Sequence, residues 1–274
     1  MKKILSGIVL PFIIVSCTTN AITNRKQLSL LNESELQKMS TEQYSQFLGQ
    51  NKVIAAGGAG KDGKDAAMVR RVGERLVTAI NSYYSQKGLT KELEGYKWEY
   101  NLVDSKEVNA WCMPGGKIVV YSGLLPVTQS ETALAIVMGH EITHALAHHG
   151  NERMSQSMIA QGLGVAGGVL SSGNAQATSV FNNVYGPTAQ LGVLLPNSRK
   201  QELEADKYGL IFAAMAGYNP QEAIPFWERM AKAGSGQKPP EFLSTHPADE
   251  TRIQKLRELM PEALRYYKPM GKVN

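Results

Sequence analysis

The chain has 274 residues, 43% hydrophobic and 19% charged, which is enough apolar material for one large domain or two small ones with a full core. Its 26 glycines and 12 prolines follow no period, so collagen-like repeats are excluded, and the composition is that of a globular chain rather than a disordered one. The formal charge is +5; setting aside Lys2 and Lys3 leaves 27 basic against 24 acidic residues, a net of +3 with no Lys/Arg run longer than two, which excludes an electrostatic case for nucleic acid.

Residues 1–17, MKKILSGIVLPFIIVSC, combine a basic start, an apolar stretch from Ile4 to Val15 and a small residue before Cys17. This is the build of a secretory leader. The stretch is shorter than the ~20 residues a spanning helix needs, and Pro11 interrupts it. The ending IVSC resembles a bacterial lipoprotein signal, implying cleavage before Cys17, lipid modification of Cys17 and a membrane tether. Cys112, in NAWCMPGG, is then without a partner and reads as a small packed residue rather than a nucleophile.

Asn32 opens a capped helix over 33–48, with Leu36, Met39 and Phe47 at helical spacing. AAGGAGKDGKD, 55–65, reads as a flexible linker. It contains a near miss for a phosphate-binding loop, but Asp65 stands where a hydroxyl must hold magnesium, so no nucleotide is expected. Met68, Val72, Leu76 and Ile80 predict an amphipathic helix over 66–84. YKWEYNLV, 96–103, and KIVVYSG, 117–123, predict two strands, the second after a Pro-Gly-Gly turn. A buried helix is expected within 129–150, loosely packed helices or loops over 155–195, and helices at 198–216, 220–233 and 248–260.

His140-Glu141-Ile142-Thr143-His144 is an HExxH motif. On a helix, positions i and i+4 share one face, so both imidazoles can converge on one ion. Glu141 is turned by about 100° and falls beside the metal, where it suits a base for water. A catalytic zinc usually takes three protein ligands. If the helix runs on, His148 is two turns away and His149 points nearly opposite His140, so both read as solvent-facing or capping residues. The remaining third-ligand candidate lies in SRKQELEADKYG, 198–209. There Glu202 and Asp206 share a face, while Glu204 points elsewhere. Taken alone, ELEAD is also an ordinary charged helix face.

HEITHALAHH, SRKQELEADKYG and THPADETRI, in that order, resemble the gluzincin metallopeptidase family of HtpX, BepA, LoiP and the CAAX prenyl proteases. The resemblance runs from about Met68 to Leu259. It implies one zinc per chain held by His140, His144 and Glu202, with Glu141 catalytic and Asp206 supporting the site. It also brings His246 and Arg252 near the metal, His246 either donating to an oxyanion or occluding the zinc. NAWCMPGGKIVVYSGLL resembles the family's cleft hairpin, which implies that substrate adds to an edge formed by Lys117, Ile118, Val119, Val120 and Tyr121.

The expected fold is α+β and mostly helical, with the HExxH helix packed on a small antiparallel sheet. The expected organisation is a leader at 1–16, an N-terminal helix and linker at 17–65, and a metallopeptidase domain at 66–274. The expected function is zinc endopeptidase action on unfolded or misassembled envelope proteins. The expected address is the periplasm, on the outer membrane of a Gram-negative bacterium. The alternative is a lipid-tethered, chaperone-like binding factor with a structural or closed zinc site. A non-metal hydrolase finds no GxSxG elbow in the sequence.

Overall fold

The computed structural model describes residues 17–160, 175–185, 198–234 and 240–269. The expected leader and two parts of the segment read as loose helices or loops, 161–174 and 186–195, lie outside the described residues. The described chain begins with a short antiparallel hairpin, β1 (Cys17–Thr19) and β2 (Lys26–Leu28), with Cys17 exposed. Asn32 then caps α1 (Glu33–Gln50) by accepting from the Ser34 N–H, and Leu36, Met39, Tyr44 and Phe47 form its buried face.

After β3 (Val53–Ile54), α2 runs from Gly60 to Gln86 and so starts inside the expected linker. The glycines there serve close packing as well as freedom: a Cβ on Gly63 would lie 1.8 Å from the Gly58 carbonyl oxygen. Three strands follow, β4 (Glu99–Val103), β5 (Ala110–Met113) and β6 (Lys117–Tyr121). With β3 they form a sheet of order β3-β4-β6-β5. The β5–β6 hairpin and the β3–β4 pair are antiparallel, whereas β4 and β6 run parallel, Glu99 opposite Lys117 through Val103 opposite Tyr121.

This order corrects one expectation. Lys117, Ile118, Val119, Val120 and Tyr121 form an interior strand, buried at every position and paired on both sides, so no substrate backbone can add there. Even Lys117 is buried, its Nζ donating to the Lys97 carbonyl at 2.7 Å and to Glu99. The strand with only one neighbour among the described residues, on the side of the sheet away from β3, is β5.

The remaining elements are helical: α3 (Leu125–Thr128), α4 (Glu131–Leu146), α5 (His149–Ala160), α6 (Ala175–Tyr185), α7 (Arg199–Met215), α8 (Ala223–Gly234), α9 (Phe242–Thr245) and α10 (Glu250–Tyr266). The fold is therefore α+β and mostly helical, as expected. Ser130 caps α4 through the Ala133 N–H, and every residue of α4 from Ala133 onward is buried. A helix enclosed on all sides carries little amphipathic signal, which matches its apolar sequence. It packs between β5 and α7. The α4–α7 crossing is close because it is made of glycines: a Cβ on Gly209 would lie 2.8 Å from the His140 backbone nitrogen, and one on Gly139 would lie 2.9 Å from the Gly209 oxygen. No helix among the described residues is long and apolar enough to cross a membrane.

Candidate metal centre

The α4–α7 crossing brings the sequence-predicted residues together. His140 and His144, one turn apart on α4, place their Nε2 atoms 3.0 Å from each other. Ser198 and Gln201 form a capping box at the start of α7, and Glu202 follows in its first turn. Its carboxylate reaches both rings, at 3.5 Å from His140 Nε2 and 3.3 Å from His144 Nε2. His246 enters from the turn after α9, with Nδ1 3.1 Å from His140 Nε2 and 2.9 Å from Glu202 Oε1. One ligand atom from each of these four residues lies within 4.8 Å of the others, and all four side chains are buried.

His246 is held in place by its own segment. Phe242 donates its backbone N–H to the Val108 carbonyl at 3.2 Å, His246 donates to the Phe242 carbonyl at 3.0 Å, and the two rings stack with centroids 4.5 Å apart. This fastens the segment to Val108, just ahead of β5, and carries the His246 ring to His140 on the HExxH helix.

Asp206, one turn beyond Glu202, receives His140 Nδ1 at 3.0 Å. The other partner of Asp206 is Arg252, capped into α10 by Asp249, whose guanidinium meets both carboxylate oxygens at 2.7 and 2.9 Å. The same guanidinium lies 2.9 Å from Glu202 Oε2 and 3.5 Å above the Trp227 ring. Arg252 thus fixes two carboxylates at once and is itself held on an aromatic face.

The electrostatics follow from burial and charge. Burial raises the Glu141 carboxyl; His246 and His140 pull it back, and it stays above the ordinary carboxylate range. Burial works on Glu202 in the same direction, but His246, Arg252 and His140 outweigh it and hold Glu202 well below that range. Burial lowers His144 well below the ordinary imidazole value, so its ring is neutral and able to ligate. His246 is the opposite case: burial would lower it, but Glu202 and Glu141 raise it.

Glu141 Oε1 is buried without a hydrogen-bond partner among the described residues, while Glu202 Oε2 is ion-paired to the Arg252 guanidinium at 2.9 Å. A buried carboxylate and two imidazoles, one of them the neutral His144 ring, with their ligand atoms at one point form a donor set that a cation satisfies. The residues present therefore fit a metal ion, with two imidazoles and a carboxylate as the obvious donors.

His149 differs from the sequence reading, and Arg25 was missed by it. His149 is fully buried rather than solvent-facing, with Nδ1 2.8 Å from His144 Nδ1 and Nε2 3.0 Å from Glu204 Oε2. The reading failed because α4 ends at Leu146: His148 takes a left-handed backbone, φ 54°, and His149 starts a new helix in a new direction. Glu204 lies on the far side of the ligand histidines and bonds His149 and Arg25, so it is not placed as a third ligand. Arg25, which no motif marked, carries that network out to the N-terminal hairpin. Cys112 is a buried residue of β5 whose thiol burial pushes well up, as a packed side chain requires.

A sequence profile of Peptidase family M48 matches residues 64–260. The chain is 38% identical over 181 residues to the mitochondrial metalloendopeptidase OMA1 of Arabidopsis thaliana, covering 65% of this chain and 35% of that one. It is 30% identical over 252 residues to the mitochondrial metalloendopeptidase OMA1 of Homo sapiens, covering 89% and 46%. The beta-barrel assembly-enhancing protease of Escherichia coli is 28% identical over 196 residues, covering 69% and 37%. The chain thus spans about a third to a half of the length of these relatives.

These relatives overturn the expected address. Proteins from plant, yeast and human that match at 30–38% identity are mitochondrial, so the sequence features shared with them do not mark a periplasmic, outer-membrane lipoprotein. The HExxH helix, the Glu202 helix and the His246 segment all lie inside the span that the family profile matches, 64–260, and the chain belongs to peptidase family M48.

Proposed function

We propose that this chain is a zinc-dependent endopeptidase. The observation that carries the reading is the convergence of His140, His144 and Glu202 on one buried point with Glu141 beside it. His140, His144 and Glu202 would hold the zinc, a His-His-Glu set that suits this borderline-soft ion. When bound, the zinc supplies Lewis acidity toward a scissile carbonyl and toward water.

The chain's own groups supply the rest. Glu141 takes the proton of the attacking water on a carboxylate oxygen and returns it to the leaving amine nitrogen, and its raised affinity for a proton suits both halves of that task. Asp206 accepts from His140 Nδ1 and so fixes that ring with Nε2 toward the ligand cluster. Arg252 holds Asp206 and Glu202 in register. The free edge of β5, Ala110–Met113, packed against α4, takes the substrate backbone in place of β6.

An edge strand binds chains that are already extended, which favours misfolded or misassembled proteins as substrates. The printed name of the bacterial relative, a protease that enhances assembly, supports the same class.

His246 favours a second, compatible reading of the resting state. With four protein donors around one point the site is closed, and His246 must withdraw before water and substrate can enter. A binding factor with a permanently closed site is the competing outcome. The test is cleavage of unfolded casein by the purified protein, its inhibition by a zinc chelator and its recovery on adding zinc. Cleavage that ignores the chelator contradicts the proposal.

A further inference from the structure

The two histidines of the HExxH helix are supported in different ways. His140 Nδ1 meets a carboxylate directly, Asp206 at 3.0 Å. His144 Nδ1 meets another imidazole, His149 Nδ1 at 2.8 Å, and only the far nitrogen of that ring reaches a carboxylate, Glu204 Oε2 at 3.0 Å. Glu204 is held in turn by Arg25 Nε at 2.7 Å, and Arg25 forks onto Glu152 at 2.6 and 2.7 Å. Gln201, the neighbour of Glu202, closes the chain by donating to Glu152 at 2.8 Å.

A nitrogen-to-nitrogen hydrogen bond needs one donor and one acceptor. For His144 to offer the Nε2 lone pair to a metal, its proton must sit on Nδ1 and point at His149. His149 must then accept on Nδ1, which leaves its own proton on Nε2, pointing at Glu204. Glu204 is the acceptor that arrangement requires, and Arg25 keeps it ionised and oriented. One assignment satisfies every contact. The reverse assignment would put a proton on His144 Nε2 and remove it as a ligand.

We propose that His149, Glu204 and Arg25 form a positioning relay that sets the tautomer of His144 and thereby the affinity of the site for zinc. The inference rests on the proposed role of His144 as a zinc ligand. Its consequence is that a segment outside the matched family span, 64–260, completes the metal site. Arg25 lies between β1 and β2, and that hairpin is fastened to the helices around the site. Asn20 Nδ2 donates to the Leu146 carbonyl at 3.3 Å, Tyr208 donates its hydroxyl to the Ile22 carbonyl, and the Leu30 N–H donates to Ser155 Oγ at 2.9 Å.

The experiment is zinc affinity by chelator competition on the full chain and on three variants, with the melting temperature of each metal-free protein measured alongside. His149→Leu removes the acceptor and should weaken zinc binding by roughly 10–100-fold, the usual effect of losing such support. His149→Gln restores an acceptor oxygen and should recover most of that loss. Arg25→Met should show a smaller loss, and it keeps the test available if His149→Leu fails to fold. Nitrogen-15 spectra of the wild-type histidines should show His144 protonated on Nδ1 before any variant is made.

Equal zinc affinity in folded His149→Leu, or in Arg25→Met with only the melting temperature lowered, would reduce the network to packing and overturn the relay. A wild-type His144 protonated on Nε2 would overturn it as well. Failure of the wild type to bind zinc at all is a different result, since it defeats the proposed metal site itself.

Discussion

His246 Nδ1 lies 2.9 Å from Glu202 Oε1, although 44 residues separate the two in the chain. The contact joins the residue that would complete the zinc ligands to the residue that would close the site. In His246→Ala, zinc should stay bound through His140, His144 and Glu202 while casein cleavage rises, on the order of tenfold if the closed form dominates by about 1.4 kcal/mol. A variant that keeps its zinc and stays inert favours a binding role.

Glu202→Ala removes the carboxylate that both ligand histidines face and leaves Arg252 with one fewer anion. Zinc affinity should fall by more than the roughly 10–100-fold typical of a supporting residue. Metal analysis after gel filtration gives the answer. Normal zinc in that variant would mean a different third ligand, and the position of Glu204 behind His149 makes it an unsuitable replacement.

Gly209→Ala places a methyl group 2.8 Å from the His140 backbone nitrogen. Relief requires α4 and α7 to separate, and overpacking of this kind costs about 1–3 kcal/mol. Urea unfolding of the metal-free variant should show that loss, with zinc binding weakened in the same protein because His140 moves. Unchanged stability would contradict a close α4–α7 crossing.

Glu152 and Glu204 are both held below their ordinary value of 4.5: burial raises each, and hydrogen bonds from Arg25, Gln201 and His149 outweigh it. A carboxylate whose folded value is depressed stabilises the protein above its unfolded value and ceases to do so as pH falls through the folded one. The contribution is therefore complete at neutral pH and fades below about 4.5. Glu152→Gln should be less stable than wild type at pH 7, and the gap should narrow as the pH is lowered past that point. A gap that is constant from pH 7 to 3 would show that the ion pair contributes nothing.

The parts of the site that were legible in the sequence are those set by one helix at a time. His140 and His144, and Glu202 and Asp206, sit at i and i+4, and helical period alone puts each pair on one face. His149 was misread because the helix breaks at His148, a histidine in the left-handed position where a glycine would announce the end, and the nearest glycine, Gly150, already lies in the next helix. Arg25 was invisible because its partner Glu204 is 179 residues away. The sheet shows the same division. The strands β4 and β6 follow from their β-branched and aromatic runs, and the β5–β6 hairpin only from the family resemblance, but the parallel pairing of β4 with β6, which makes β6 interior, depends on topology that no local pattern records.

The most direct test of the central claim is zinc stoichiometry together with casein cleavage in wild type and Glu141→Gln. The substitution keeps the size and hydrogen-bonding reach of the side chain but removes the proton acceptor. About one zinc per chain in both proteins, with cleavage lost by roughly a thousandfold or more in the variant, is the result the account predicts. Cleavage that survives Glu141→Gln with zinc still bound would contradict it.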